Sequence, residues 1–355
     1  MSNGATVRKL LLPLSWLYGA AVGVRNFLFT TGILGTTNVG VPVISVGNIT
    51  AGGTGKTPLV ERIVEHLLQR GHRVAVVSRG YGRESRGVVV VSDGKSIRVD
   101  ATRGGDEPVQ IARRYPDACV VVGERRVDAA REAVKTLGAQ VIVLDDGFQH
   151  RYIARNIDIV VVDTRGDLTR EPLLPAGRRR EFLSGIRRAT LLAFSKVQYG
   201  SFGWAGGLRR WYDGPEVAFR HAPKGIHMAS DHREMQRREY SDKDSFAFSG
   251  IGDHASFVEA LRESGFTVKD GRQFRDHHRY TPEEADAIVD DARRTGATLL
   301  VTTEKDMMRI FADDRVRTSL QRLPLCYVRL TIEILSGGTE MFRRIDDLVG
   351  TTAPL

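Results

Sequence analysis

The sequence predicts an α/β protein: a P-loop domain with a mainly parallel sheet, plus a second, smaller α/β domain joined to it by an extended β-type linker. Three observations support this fold class. Apolar runs of strand character alternate with helical patterns, and a glycine loop ending in Gly-Lys-Thr follows the first strand. The alternation stops near residue 215 and resumes near residue 245. Strands that alternate with helices are typical of parallel sheets covered on both faces.

The first strand–loop–helix unit carries the clearest functional signal. VPVISV (41–46) is a predicted strand, and PLVERIVEHLLQRG has apolar residues at helical spacing before Gly71. RVAVVS (73–78) is the next strand, which completes a βαβ unit. The loop GGTGKT (52–57) therefore presents backbone N–H groups and a helix dipole to an anion. We expect a nucleotide there, with Lys56 reaching the β- and γ-phosphates and Thr57 binding Mg²⁺.

The remaining elements follow in order. Buried strands are predicted for ACVVVG (118–123), AQVIVLDD (139–146) and IDIVVVD (157–163), with a helix over RVDAAREAVKTLG. DHREMQRREYSDKD (231–244) indicates a loop or hairpin tip. The second block contains the helix ASFVEALRESG, the strand FTVKDG, a helix opened by a capping box at residues 281–284, two strands at 297–306 and 323–334, and a final helix. We thus predict parts at 1–36, 37–215, 216–244 and 245–350.

Composition limits the classes of partner. The net charge is +9, from 52 Lys and Arg against 43 Asp and Glu, which favours a phosphorylated substrate, an anionic membrane or nucleic acid. No zinc-finger or RNP pattern is recognisable, so we expect no nucleic-acid partner. Cys119 and Cys326 lie far apart without C-x-x-C spacing. They predict neither a zinc site nor a disulfide framework and fit a reducing cytoplasm.

The N-terminal part, 1–36, contains no acidic residue, and residues 10–24 carry no charge. Fifteen uncharged residues fall short of the roughly 20 that span a bilayer. Three interpretations are open: a signal peptide, a helix packed in the core, and an interfacial helix. The third is favoured, with Trp16, Tyr18 and Phe27 near lipid headgroups and neighbouring cations on lipid phosphates.

Acidic residues follow two predicted elements near the loop. VIVLDDGFQH ends a strand in Asp145 and Asp146, the Walker B arrangement, although Asp145 could instead cap a turn. Gln149 and His150 could orient water, metal or substrate, and IDIVVVD is a rival strand ending in an acid. RGGDEPVQIARR places Asp106 and Glu107 at a helix start, where Asp106 is either an N-cap or a base or metal ligand that faces the loop.

The motifs SVGNITAGGTGKTP, VSRGYGR, GDEP, GERR, LDDGFQH, LLPAGRRRE, DHHRYT and TTEKD occur in the order found in tetraacyldisaccharide 4′-kinases. The sequence resembles this family over most of its length, including threonine at position 50, where the usual P-loop pattern has glycine. The resemblance implies ATP, Mg²⁺, and a lipid disaccharide that accepts the γ-phosphate at its 4′-hydroxyl in lipid A biosynthesis. It also implies an anionic membrane partner at the cytoplasmic face of a Gram-negative inner membrane, with no obligatory protein partner.

The same resemblance assigns site residues. ATP is expected at Thr50, Ala51, Gly52, Gly53, Thr54, Gly55, Lys56 and Thr57. The expected catalytic residues are Asp106, His277, Lys56, Asp145 and Asp146, with Asp106 as base and His277 its partner from the second domain. Substrate contacts are expected from Arg79, Arg125, Arg126, His150, Arg180 and Glu181. Metal contacts are expected from Thr57, Glu107 and Gln149. The arginines at 178 and 179 depart from the family pattern.

A second class of function remains open at this point, a P-loop ATPase or nucleotide switch that acts on a protein partner. The loop is similar to the deviant P-loops of partitioning and maturation ATPases, but those carry lysine before the glycine pair, where this chain has Ala51. A GTPase is disfavoured because the sequence contains no N-K-x-D motif.

Overall fold

The computed structural model describes residue 8, residues 10–197 and residues 203–350. The part before the second predicted domain contains α1 (Leu12–Thr30), β1 (Val43–Asn48), α2 (Lys56–Gln69), β2 (Val74–Ser78), β3 (Val89–Asp93), α3 (Ala101–Gly104), α4 (Asp106–Arg114), β4 (Cys119–Val122), α5 (Arg126–Lys135), β5 (Val141–Asp145), β6 (Ile157–Asp163) and β7 (Leu191–Ser195). Short 3₁₀ helices span Leu183–Arg188 and Gly203–Arg210.

The second part begins with a long strand. It contains β8 (Glu216–Met228), β9 (Asp244–Ser249), α6 (His254–Glu263), β10 (Thr267–Gln273), α7 (Pro282–Arg294), β11 (Leu299–Thr303), α8 (Glu304–Ile310), α9 (Asp314–Leu320), β12 (Leu325–Ser336) and α10 (Gly338–Gly350), with a 3₁₀ turn at Arg237–Glu239. The predicted capping box opens α7: the Thr281 hydroxyl accepts from the Glu284 N–H at 3.2 Å, and the Glu284 carboxylate accepts from the Thr281 N–H at 3.0 Å.

The described strands form one sheet of twelve in the order β10-β9-β11-β12-β8-β7-β6-β1-β5-β2-β4-β3. Among these strands, β3–β4 and β8–β12 pair antiparallel, and the other neighbours pair parallel. The prediction of a mainly parallel α/β fold is therefore confirmed. The segment 216–228, predicted as linker, is a strand of this sheet, and its ladder with β12 connects the two blocks. The division into separate domains stays a prediction.

The hydrophobic core fixes the positions of β1, β2 and β5 and of α2, the helix that follows the glycine loop. Every residue of β1, β2 and β5 is buried, and α2 packs its apolar side onto the sheet through Leu59, Ile63 and Leu67. Each such side chain contributes about 1.5–3 kcal/mol by leaving water. Because β1, β5 and β6 are parallel, their carboxyl ends lie at one sheet edge, and the glycine loop lies there too.

The helix α1 is packed on one face only. Gly19 lies so close to the body that a Cβ there would come within 2.9 Å of Leu173 and 3.0 Å of Phe182. The opposite face exposes large apolar side chains, at Leu14, Trp16, Leu17, Val24 and Phe27. The helix is therefore not enclosed in the core. Within the described residues, no helix combines the length and apolar character that crossing a bilayer requires.

Candidate active site

The glycine loop has the geometry of an anion cradle. Gly52 has a φ of 106° and Gly55 a φ of 85°, in a region that glycine enters at low cost. Gly55 is the N-cap of α2 and offers no side-chain acceptor, so the N–H groups of the first turn are left for an anion. A Cβ at Gly52 or Gly53 would meet no atom within 4 Å, so this side of the loop is open.

The back of the loop is held by residues at the end of β7. The Ser195 hydroxyl donates to the Thr54 carbonyl at 2.6 Å, and the Lys196 ammonium donates to the Gly53 carbonyl at 2.6 Å. Lys196 also pairs with Asp163 at 3.0 Å, so the rival acidic strand end is occupied. Anchored carbonyls leave the N–H groups preorganised toward the ligand. Sequence reasoning missed Ser195 and Lys196 because the short strand before them was not predicted.

Two carboxyl groups at the end of β5 face the loop. Asp146 lies 3.6 Å from the Lys56 ammonium and 2.8 Å from the Arg180 guanidinium. Burial opposes ionisation of Asp146, but these two cations outweigh it and lower its pKa. Asp145 is buried, and its Oδ1 has no hydrogen-bond partner. Burial, followed by the nearby charge of Glu107, raises the pKa of Asp145 to about 7.

The structure brings Asp106 and His277 together across the two blocks. Asp106 is the first residue of α4, whose N-cap is Gly105, so the alternative of an Asp106 N-cap is wrong. Its Oδ2 lies 3.2 Å from Nδ1 of His277 and accepts from Nε of Arg309 at 2.7 Å. Burial would raise the pKa of Asp106, but the hydrogen bond from His277 and the Arg309 charge lower it.

Two cations on α8 surround this pair, and neither was predicted from the sequence. Arg309 is buried and also donates to Asp306 at 2.9 Å. The Lys305 ammonium lies 3.2 Å from Nε2 of His277 and 3.2 Å from Oε1 of Glu107. The available signal was the spacing: residues 305 and 309 are four apart, so a helix after TTEKD places them on one face.

A cationic cluster lies beside Asp146. Arg126 is buried, and burial lowers its pKa to about 10. Burial, then the charges of Arg126 and Arg79, lowers the pKa of His150 to about 4, so its imidazole is neutral at pH 7. The structure does not bring Arg125 into this cluster. Its side chain is 80% exposed and lies 3.4 Å from Asp128, because Arg125 is the extended N-cap residue of α5 and only the first helical residue, Arg126, is buried.

Gln149 and Glu181 are tied to each other. The Gln149 amide donates to Glu181 at 2.9 Å and to the Asn48 carbonyl at 2.7 Å, and its oxygen accepts from Arg180 at 3.3 Å. Glu181 is 1% exposed and also accepts from Arg188 at 2.8 Å. This burial favours an internal, positioning role for Glu181. A cation on the Gln149 oxygen does not favour Gln149 as a metal ligand.

Within the described ranges, no group of three or more His, Cys, Asp and Glu side chains could hold a metal ion. Glu107, predicted as a metal ligand, is paired with Lys305. Asp145 is different, because its buried Oδ1 lacks a partner. A site with one protein carboxylate fits Mg²⁺ bound chiefly by phosphate oxygens and water, as in other nucleotide sites.

The site combines an open glycine loop, Lys-Thr at a helix start and acids on the adjacent strand, which is the arrangement of a P-loop nucleotide-binding protein. The family model for LpxK, tetraacyldisaccharide-1-P 4′-kinase, matches residues 7–349, and the chain belongs to this family. Chains named tetraacyldisaccharide 4′-kinase are similar to it throughout. That of Chlorobium luteolum is 39% identical over 94% of this chain and 95% of its own, and that of Anaeromyxobacter sp. (strain Fw109-5) is 38% identical over 95% and 91%.

A solved structure agrees with the sequence comparisons. LpxK from Aquifex aeolicus, crystallised in complex with ATP, superimposes with a TM-score of 0.79 at 30% identity, covering 97% of this chain and 99% of its own. The enzyme class predicted from the sequence, a phosphotransferase of the tetraacyldisaccharide 4′-kinase type, is therefore confirmed.

Proposed function

We propose that the protein transfers the γ-phosphate of ATP to the 4′-hydroxyl of tetraacyldisaccharide 1-phosphate, a step of lipid A biosynthesis. One observation supports this reaction most strongly. Asp106, a carboxylate 3.2 Å from an imidazole of the other block, directly precedes Glu107. The charge of Glu107 adds to burial in raising the pKa of Asp145, which lies next to the Lys56–Asp146 pair. This link supports a candidate base for a hydroxyl acceptor near the proposed phosphate donor site.

The nucleotide is assigned to residues 50–57. Their loop is open where a Cβ would stand at Gly52, and the related Aquifex aeolicus protein was crystallised with ATP. Thr57 and Asp145 are the residues that would hold Mg²⁺, which supplies neutralisation of phosphate charge when bound. Lys56 offers a fixed cation for charge that develops on the transferred group. Hydrolysis of ATP by water competes with phosphate transfer to the lipid. We therefore expect the cleft to stay closed during the reaction.

The acceptor hydroxyl needs a proton acceptor because a sugar alcohol is a poor nucleophile. We assign that function to Asp106. Both His277 and Arg309 contact its Oδ2, so Oδ1 is the oxygen that we assign to the acceptor. An isolated aspartate is a weak base, with a pKa near 4. The neighbouring imidazole holds the carboxylate in place.

We assign the anionic acceptor to the cations beside Asp146. Arg79, Arg126 and Arg180 surround this position, and His150 adds a neutral imidazole. Guanidinium groups are suited to phosphate because their parallel N–H groups match its oxygens. The buried Glu181 and the half-buried Gln149 fix the local chain, and the Gln149 oxygen accepts a hydrogen bond from Arg180. In this proposal, the polar headgroup of the lipid disaccharide contacts these arginines.

Attachment to an anionic membrane is proposed for α1. Its exposed face carries Trp16, Leu17 and Phe27, and the adjacent part of the chain contains no acid before Glu61. Replacing these three residues by serine should release the protein from vesicles of phosphatidylglycerol and phosphatidylethanolamine. It should also raise the KM for a bilayer-embedded acceptor more than the KM for ATP. Unchanged flotation of this variant with vesicles would remove α1 as the anchor.

A transfer assay tests the proposed function. Purified protein is incubated with [γ-³²P]ATP, Mg²⁺ and tetraacyldisaccharide 1-phosphate in mixed micelles, with Lys56→Ala as the matched inactive variant. We expect label in the lipid, and ³¹P NMR of the product should show a second phosphomonoester, on the 4′-oxygen. Release of inorganic phosphate without labelled lipid would instead support a nucleotide switch.

A further inference from the structure

The Lys305 ammonium lies between two partners that the reaction scheme above leaves unconnected. It is 3.2 Å from Nε2 of His277 and 3.2 Å from Oε1 of Glu107, and its side chain is largely buried at the cleft. It comes from α8, directly after β11, so it is fixed by a buried strand and a helix rather than a loop. Lys305 was not among the site residues expected from the family resemblance.

We propose that Lys305 is a positioning residue that fixes the tautomer of His277, with the proton on Nδ1. A lysine ammonium has only donors, so Nε2 beside it must accept. On the other side of the ring, Nδ1 faces the Asp106 carboxylate, which has only acceptors, so Nδ1 must donate. Two contacts on opposite ring nitrogens therefore require the same tautomer. This inference rests on the proposed function, in which Asp106 accepts the acceptor proton.

The opposite tautomer is disfavoured by the two closest charges. It would turn the Nδ1 lone pair toward the Asp106 carboxylate and an N–H toward the Lys305 ammonium, each 3.2 Å from the ring. Its two gains would be longer contacts, with Nη2 of Arg309 at 3.4 Å from Nδ1 and with Asp276 at 3.9 Å from Nε2. The doubly protonated ring would also gain Asp276 but would place a third cation beside Lys305 and Arg309. The Tyr81 ring, with its centroid 5.1 Å away, carries no charge.

The fixed tautomer has a consequence for the reaction. Nδ1–H becomes a permanent donor to Oδ2 of Asp106, which holds the carboxylate in one rotamer and keeps Oδ1 toward the acceptor hydroxyl. Hydrogen bonding on the second nitrogen sets the orientation of a histidine in the same way in other enzymes. Loss of Lys305 frees the ring to rotate or change tautomer, and the base then loses its orientation.

The test measures the tautomer and the reaction in the same samples. Protein with ¹⁵N-labelled histidine is studied by long-range ¹H–¹⁵N correlation, with the His277 signals assigned from His277→Gln. We expect the wild type to carry the proton on Nδ1, Lys305→Met to lose that preference, and Lys305→Arg to keep it. In the transfer assay, Lys305→Met should lower kcat roughly 10-fold or more with the KM for ATP unchanged within twofold. Lys305→Arg should restore much of kcat.

The matched control is Lys269→Met, which removes an exposed lysine paired with Asp244 on the far edge of the sheet and should change neither readout. A wild-type spectrum with the proton on Nε2 would overturn the proposal, as would Lys305→Met with wild-type tautomer. An altered tautomer with normal kcat would overturn its catalytic part. If the wild type transfers no phosphate to lipid, the proposed function fails, whereas the spectra still decide how Lys305 acts on His277.

Discussion

Replacing Arg114 with methionine tests what fixes α4, the helix that begins with Asp106. The Arg114 guanidinium pairs with Glu61 of α2 and Glu304 of α8, and it donates to the Leu330 carbonyl at 2.8 Å. The three charged side chains are only 5%, 3% and 6% exposed, in that order. One cation therefore connects the helix after the glycine loop, the helix of the candidate base, and the second block.

The expected loss follows from this burial. Removing one partner of a buried ion pair costs about 3–5 kcal/mol because the remaining charge is left without compensation. Glu61 would keep a hydrogen bond from Gln110 at 2.9 Å, and Glu304 would keep Arg329 at 3.1 Å, which places the loss toward the lower limit. For a chain of this size, about 3 kcal/mol corresponds to a Tm lower by roughly 4 °C.

Differential scanning calorimetry measures this loss, with Arg131→Met as the control. Arg131 is half exposed and lies 4.0 Å from Asp128, so its removal should cost less than about 1 kcal/mol. The triple variant Arg114→Met/Glu61→Gln/Glu304→Gln should recover part of the lost stability because no carboxylate is left unpaired. If Arg114→Met unfolds at the same temperature as Arg131→Met, the triad does not hold the helices together.

Three further predictions concern single groups. Lys56→Ala should lower kcat on the order of 10²-fold or more, because a preorganised cation is lost from the transferred phosphate; near-normal kcat would remove it from the site. Burial raises the pKa of Asp158 to about 6, so its stabilising effect is present below pH 4 and lost as the pH rises through 6. The measurement is the unfolding free energy of the wild type and of Asp158→Asn at pH 4 and at pH 7. Between these two pH values, the wild type should lose about 3 kcal/mol relative to the variant. A difference that stays constant would contradict the prediction. His150, whose pKa burial lowers to about 4, should titrate near that value by NMR rather than near 6.5.

The elements that the sequence predicted are those with a local cause. β1, the glycine loop and α2 follow from an apolar run, a left-handed Gly55 and helical spacing, and the capping box at Thr281 is closed within four residues. β3 and β7 were missed because short strands are stabilised by their neighbours in the sheet. The segment 216–228 extends as a strand because it pairs with β12, about 100 residues further along the chain.

The candidate site shows the same limit. Motif order alone indicated Asp106 and His277, and the structure places them 3.2 Å apart. The spacing of Lys305 and Arg309 could have indicated one helix face, but their importance depends on where α8 lies in space. Arg125 and Arg126 are adjacent and chemically identical, and only the start of α5 determines that the second one points inward.

The central claim is that a carboxylate and an imidazole from two blocks of one sheet act together on the acceptor hydroxyl. The most direct test is the kcat of Asp106→Asn, His277→Ala and the double variant at saturating Mg-ATP and lipid acceptor, with His278→Ala, whose ring is 2.8 Å from Glu284, as the control. We predict that each single variant loses most of kcat, that the double variant loses little more than the worse single one, and that His278→Ala stays close to the wild type. Losses that multiply in the double variant, or a larger defect at His278 than at His277, would contradict the account.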